Sequence, residues 1–281
     1  MNGECVAILI TGGSGFIGRA LAENMMRDHD VVSISRRDPE NGVRWVRGDF
    51  GLFEDLRQLD DTSIDAVVHL GAVTGGCSER DAIQVNVEGS RVLMRYAIDR
   101  GCRKFVMASS IAAVGMQSVD FRPLQVPITD EHPCLDRDGY GWSKFMMEEV
   151  TKYYWRQNAD IDVINLRLSS VVSDESPPPL REMSPPRQWG LGSLTIMVRQ
   201  DAVRAFRMAA ESDAMPGVRI LNASGPRAWV KDPVADILRN WWGNDVDLSH
   251  LDAEIHRYDS VYDVSRIEQE LGFVAEKLPG V

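Results

Sequence analysis

The run "ILITGGSGFIG", residues 8–18, constrains this chain more than any other stretch. Four apolar or β-favouring residues end at a glycine cluster, and an amphipathic segment follows at once. A short continuous apolar run of this kind suits a parallel strand covered on both faces. Gly12, Gly15 and Gly18 then fall between strand and helix. Glycine there permits a tight turn, lets backbone N–H groups approach a pyrophosphate and lets strand and helix pack closely, while the helix dipole favours the anion. The turn therefore predicts dinucleotide binding, with Phe16 and Ile17 at the start of the helix beside the phosphates.

The rest of the chain repeats the same alternation. Strands are expected in "CVAILI", "DVVSI", "VRWVRGD", "IDAVVHL", "RKFVMAS" and "IDVINLRL". Helices are expected over 16–27, in "FEDLRQL", over 79–100 and over 140–158. Strand and helix in turn are the signature of a doubly wound sheet. The fold class is thus α/β, a doubly wound parallel sheet in residues 1–168, with a small C-terminal substrate-binding region, 169–281, completing it. That region opens with "SDESPPPLREMSPPRQWG", whose prolines exclude helix and central strand. It is either a surface linker or a loop over a substrate pocket, since it leaves the carboxyl end of a strand where such folds bind ligands. Helices in "VRQDAVRAFRMAAES", "VADILRNWW" and "DVSRIEQELGF" and a strand in "VRILNAS" follow.

Composition narrows the class of partner. Of 281 residues, 44% are hydrophobic and 26% charged, the mix of an ordinary globular protein. A net charge of −11 argues against nucleic acid or an anionic membrane as the partner. Cys5, Cys77, Cys102 and Cys134 are irregularly spaced, with no CxxC and no nearby histidine pair. They are expected to be reduced thiols, and no metal site is expected. The first residues lack a basic leader, and no apolar run approaches the roughly 18 residues of a membrane span. A cytoplasmic protein is expected.

"TG" ahead of GxxGxxG makes the chain similar to the extended branch of the short-chain dehydrogenase/reductase superfamily, the NAD-dependent epimerase/dehydratase family. The resemblance implies a Rossmann sheet, a nicotinamide cofactor and a Ser-Tyr-Lys catalytic set. It also implies that Asp49 and Phe50, in "RGDF", face the adenine, and that Leu70, Gly71 and Ala72, in "HLGA", close over the cofactor. Asn86, in "NVEG", resembles the asparagine that orders the active site; Ser109 and Leu168 fall at strand ends near the cofactor. His69 is expected to be a packed histidine without a chemical role.

The ribose reader of such folds sits at the end of the second strand, usually as an acid that accepts from the 2′-hydroxyl of NAD. Here that place holds Ser35, Arg36 and Arg37. A carboxylate would repel a 2′-phosphate, whereas a guanidinium grips it through parallel charged hydrogen bonds. The expected cofactor is NADP, with NAD open if both arginines only solvate the strand end.

"YGWSK" supplies Tyr140 and Lys144, four residues apart and so about 5–6 Å apart at Cβ on one helical face. A free phenol is about one part in a thousand ionised at pH 7, and lowering its pKa by two to three units needs roughly 3–4 kcal/mol. A neighbouring ammonium and an oxidised nicotinamide supply charge of the right sign. Ser110, the second serine of "MASSIAAVG", is the expected third member, hydrogen-bonding the reacting oxygen. Two departures from the family pattern stand out: Val114 where a tyrosine is common, and Ser170 where nucleotide-sugar enzymes present an asparagine.

The leading expectation is an NAD(P)-dependent oxidoreductase acting on a hydroxyl or ketone of a sugar-like substrate, with Ser110, Ser170, Arg181 and Arg187 toward that substrate; either arginine is equally readable as solvated. A nucleotide-sugar 4-epimerase uses the same residues, and a non-catalytic NADP-binding redox sensor is a third reading. A dehydratase is disfavoured because Ile111, not an acid, follows Ser110. Helices 79–100 and 140–158 pair between subunits in related enzymes, so a homodimer is expected.

Overall fold

The structure, a computed structural model, describes residues 6–116, 118, 120–185, 191–225, 227–245 and 247–276. Seven strands form one sheet: β1 (Ala7–Thr11), β2 (Asp30–Ser35), β3 (Arg44–Arg47), β4 (Ala66–His69), β5 (Lys104–Ser110), β6 (Asp162–Leu168) and β9 (Gly217–Ala223). Their order is β3-β2-β1-β4-β5-β6-β9 and every pairing is parallel. The order reverses beside β1, so the connections leaving β1 and β4 run to opposite sides and leave a crevice outside the strands' carboxyl ends. Register brings those ends level: Thr11 pairs with His69, and Ser110 with Leu168, which pairs with Ala223. This is a Rossmann-like α/β fold.

Period-two alternation along the strands fills both faces. Ile8, Ile10, Val68, Val106 and Ile164 meet α1 (Phe16–Met25) and α6 (Arg199–Glu211) through Leu21, Met25 and Phe206. Leu9, Val32, Val67, Phe105 and Val163 meet α4 (Gly89–Asp99) and α5 (Gly139–Gln157) through Leu93, Tyr96, Met147 and Tyr154. Each such fully buried side chain contributes about 1.5–3 kcal/mol through removal of apolar surface from water.

A third apolar cluster joins Ile111, Val114 and Phe121 to α7 (Val234–Trp242) and α8 (Ser249–Asp252) through Ile237, Leu238 and Leu251. It seats the last part of the chain on the segment that follows β5. α2 (Phe53–Leu56) and α9 (Ser265–Leu271) complete the helices at the sheet's flanks.

Several expected elements change in detail. α1 stops at Met25, not at residue 27, because the N–H groups of Asp28 and His29 turn back to Met25 O. The helix expected over 79–100 is three pieces: α3 (Glu79–Asp81), a π-helical stretch Ala82–Glu88, and α4. A 3.6-residue period cannot signal that one-residue expansion, which is often found at functional sites. A short parallel pair, β7 (Ser170–Val172) and β8 (Ile196–Val198), was not expected. The proline-rich stretch is strapped down: Trp229 Nε1 donates to Pro178 O at 2.8 Å, and Met183 N to Asp232 Oδ2 at 2.7 Å. No helix among the described residues is long and apolar enough to cross a membrane.

Candidate active site

The glycine turn forms the floor of the crevice. Gly12 has φ +71°, and a Cβ on it would lie 2.7 Å from Gly71 N, so the turns after β1 and β4 approach this closely only with glycine at position 12. A Cβ on Gly18 would lie 2.2 Å from Gly12 O. α1 begins at Gly15 with no side-chain cap and no acid in its first turn. Its first N–H groups therefore open into the crevice with the positive end of the helix dipole, as a diphosphate requires. Gly12, Gly15, Phe16, Ile17 and Gly18 all line the cavity, whose volume beside the strand ends is about 570 Å³.

A second arm of the crevice shares Gly12, Gly15, Leu70 and Ala72 with the first and runs toward β2. Ser35, Arg36, Arg37, Asp49, Phe50 and Gly71 line it. Ser35 is held by its own chain: Trp45 Nε1 donates to its carbonyl and hydroxyl oxygens at 3.1 Å, and its hydroxyl donates to Arg37 O at 2.7 Å. Arg36 and Arg37 are exposed and make no ion pair with a described residue. Asp49 Oδ1 accepts from Gly51 N at 2.9 Å, and Phe50 packs edge-on to His69 with centroids 4.8 Å apart. The two arms together offer a diphosphate floor between an adenosine end and a reacting end, and so suit a dinucleotide.

At the reacting end lie Ser109, Ser110, Tyr140, Lys144, Leu168 and Ser170. Asp138 starts α5, accepting from Tyr140 N at 2.8 Å and Gly141 N at 3.1 Å. The Ser110 hydroxyl accepts from Ala112 N at 3.1 Å and acts on the Tyr140 phenol to lower its pKa. Lys144, only 4% exposed, donates to Ala108 O at 2.7 Å, with its ammonium 5.9 Å from the Tyr140 ring centroid.

Burial raises the Tyr140 phenol, against the Ser110 hydrogen bond, and Lys144 is not among the groups that shift it. The amine itself is lowered to about 8, because burial disfavours its charge more than the Glu148 carboxylate restores it. In the protein alone the lysine is anchored to the Ala108 carbonyl.

Two buried networks brace the site. Ser90 donates to Asn86 O at 2.6 Å, so Ser90 Oγ accepts from His69 Nε2 at 2.9 Å. His69 Nδ1 then accepts from Thr11 Oγ1 at 2.6 Å, which itself accepts from Gly71 N at 3.1 Å. Both ring nitrogens are thus satisfied in the neutral form, and burial lowers the His69 pKa to about 3. Asn86 does not line the crevice: it holds Val73 N and O at 2.9 and 3.0 Å and donates to Ser143 Oγ, which donates to Tyr140 O. It braces the loop after β4 against the first turn of α5.

Behind Lys144, one turn further along α5, Glu148 is fully buried. It accepts from Arg167 Nε and Nη2, both at 2.8 Å, and from Ser109 Oγ at 2.6 Å. Sequence reasoning missed this pair, although Glu148 continues the four-residue spacing of Tyr140 and Lys144. It also missed Thr74, Gly75, Ile111, Ser169, Val171 and Gly192, which line the reacting end from loops, 3₁₀ turns and the short strand β7, none of distinctive composition. Arg181 is not among the lining residues: its backbone is bonded to Trp229 O and Lys231 N, which holds it in a β-bridge region. Arg187 lies outside the described residues, as does Cys5. Cys77, Cys102 and Cys134 are free thiols.

Comparison with known proteins accords with this geometry. Residues 8–186 match the family described as the NAD dependent epimerase/dehydratase family. The chain is 28% identical over 231 residues to the uncharacterized protein YtbQ of Bacillus subtilis, covering 79% of this chain and 88% of that one. It is 31% identical over 184 residues to D-erythronate dehydrogenase of Cupriavidus necator, covering 58% of this chain and 55% of that one. It is 30% identical over 166 residues to UDP-glucose 4-epimerase of Halalkalibacterium halodurans, covering 55% and 47%. The chain thus spans about half the length of those two enzymes. A short-chain dehydrogenase/reductase superfamily protein from Agrobacterium tumefaciens, crystallised with bound NAD, shares the fold with a TM-score of 0.73 at 22% identity over 97% of this chain and 93% of that one. With a match that spans the phosphate turn, the crevice and the Ser110, Tyr140 and Lys144 group, the chain belongs to the NAD dependent epimerase/dehydratase family.

Proposed function

We propose that this protein is an NAD(P)-dependent dehydrogenase or reductase acting on a secondary hydroxyl or ketone of a small sugar-like substrate. The observation that carries the reading is the meeting of Ser110, Tyr140 and Lys144 in one cavity with the glycine turn. A nicotinamide, when bound, supplies the hydride acceptor or donor. Tyr140 exchanges the proton of the reacting oxygen and Ser110 hydrogen-bonds that oxygen. Lys144 holds the end of β5 and a cationic charge beneath the site. Segments after β6 supply the substrate side, with Ser170 at the cavity wall, while α6 and β9 belong to the sheet and its cover. Arg36 and Arg37, exposed and without an ion pair among the described residues, favour NADP over NAD. The unpaired thiols suit a reducing, cytoplasmic setting.

A 4-epimerase is the second reading, favoured by the relatives that bear that name. A homodimer through α4 and α5 belongs to the same proposal: Trp142, Met146, Glu149 and Tyr153 recur at helical spacing on α5, with Trp142 43% and Tyr153 46% exposed. Light scattering tests it, a monomer counting against it. For the chemistry, the purified protein is offered uronates, aldonates and nucleotide sugars with each cofactor. A net change in reduced-nicotinamide absorbance supports the oxidoreductase, and isomerised product without that change supports the epimerase. Tyr140→Phe should lower turnover by roughly 10²–10⁴-fold with nucleotide binding retained. Unchanged turnover would end the catalytic reading.

A further inference from the structure

Three side chains far apart from the catalytic set in sequence converge near the end of the chain. They are His250 of α8, His256 at the end of the 3₁₀ turn Glu254–His256, and Asp259. One possible ligand atom from each lies within 4.8 Å of the others. His256 Nδ1 is 2.6 Å and His250 Nε2 is 3.9 Å from the same oxygen, Asp259 Oδ2. The two imidazoles stack with centroids 4.2 Å apart and planes 30° from parallel.

The backbone that carries them is braced. Leu248 and Leu251, on either side of His250, are buried in the C-terminal apolar cluster. Asp259 N donates to His256 O at 3.1 Å, Asp259 bridges to Arg227, and Ala228 N donates to Tyr258 O at 2.9 Å. The neighbouring cations are engaged elsewhere: Arg257 pairs with Glu254, and Arg227 lies over the Tyr258 ring. Neither arginine is recorded on Asp259, whose carboxylate faces the two imidazoles.

We propose that His250, His256 and Asp259 form a binding site for a divalent transition metal of the zinc class. Two imidazole nitrogens and one carboxylate oxygen are a donor set that zinc accepts, whereas calcium and magnesium ask for oxygen alone. Ligand atoms about 2.0–2.2 Å from a tetrahedral zinc stand roughly 3.3–3.5 Å from one another. The separations of 2.6 and 3.9 Å bracket that value, so small rotations of partly exposed side chains convert the cluster into a ligand set. A fourth position stays with solvent. None of the three residues lines the crevice, so the metal clamps α8 to the segment entering Tyr262 and takes no part in proton transfer. The spacing H-x5-H-x2-D escaped the sequence reading, which searched for metal ligands around the cysteines.

The full chain, freed of metal by a chelator and exchanged into buffer, is titrated with zinc by calorimetry and with cobalt by visible absorption. One-to-one zinc binding, cobalt bands of tetrahedral intensity, and a rise in Tm on adding zinc are expected. His250→Ala and His256→Ala should each weaken zinc binding at least tenfold and abolish the rise in Tm, while folding like the parent without metal. Absence of stoichiometric binding would overturn the proposal. So would binding that survives in both variants, since the ion would then sit on other groups such as Cys77 or Cys134.

Discussion

The Lys144 ammonium donates to the carbonyl oxygen of Ala108 at 2.7 Å, which ties the middle of α5 to the end of β5 two residues before Ser110. A buried cation is thereby held by a dipole and by the more distant Glu148 carboxylate, and burial still dominates. The bond aligns Tyr140 and Ser110, one from each element, on the same cavity.

That burial has a pH signature. Lys144 falls from 10.5 unfolded to about 8 folded. Between those values the unfolded chain binds more protons, so stability rises with pH, by ~2 kcal/mol between about pH 7.5 and 9.5. The raised Tyr140 phenol acts in the opposite sense only near and above its ordinary value of 10. Urea unfolding of wild type and Lys144→Met at the two pH values checks this: the gain in wild type should be missing in the variant, and parallel behaviour would refute it.

His69 acts at the acid end. Its folded pKa of about 3 lies below the ordinary 6.5. The stability gained by keeping it neutral is present above pH 6.5 and is lost as pH falls toward 3, with ~2 kcal/mol gone by about pH 5. His69→Gln should be less stable than wild type at neutral pH and should lack that share of the acid loss, as read from denaturant midpoints.

The Glu148 and Arg167 pair is a case in which one partner matters more than the pair. Glu148→Gln leaves a buried guanidinium without its countercharge and should cost about 3–5 kcal/mol. Glu148→Leu combined with Arg167→Met should cost much less than the sum of the two single changes. A double-mutant cycle by urea unfolding measures the difference, and simple additivity would show that the two groups do not interact.

The cofactor choice is tested at the mouth of β2. Charge-assisted hydrogen bonds are worth about 1.5–3 kcal/mol, so Arg36→Asp with Arg37→Ser should weaken NADPH binding by roughly 10- to 100-fold. NADH binding should change by less than about threefold, since it lacks the phosphate that the guanidiniums would grip. Fluorescence titration of both nucleotides gives the ratio. An equal loss for both would mean that the arginines serve only the strand end.

Local pattern carried much of this molecule. The strand, glycine turn and helix over residues 8–18 lie in consecutive residues, and the Tyr140 and Lys144 relation lies in one helical turn, so spacing alone expresses them. Continuous apolar runs likewise express the sheet, because each central strand must bury both faces. The π-helical expansion at Ala82–Glu88 was invisible, since seven residues are too few to display a period of their own.

By itself the sequence determined the doubly wound sheet, the glycine turn and the helix that carries Tyr140 and Lys144, since each depends on side chains a few positions apart. Only the tertiary structure decided what surrounds them. It joined Glu148 to Arg167, set His69 between Thr11 and Ser90, and drew Arg181 to Trp229 and Lys231, away from the residues lining the cavity. It also tied Lys144 to the carbonyl of Ala108. Those outcomes depend on which strand ends become level and which groups lose water together, and neither is written in the order of neighbouring residues.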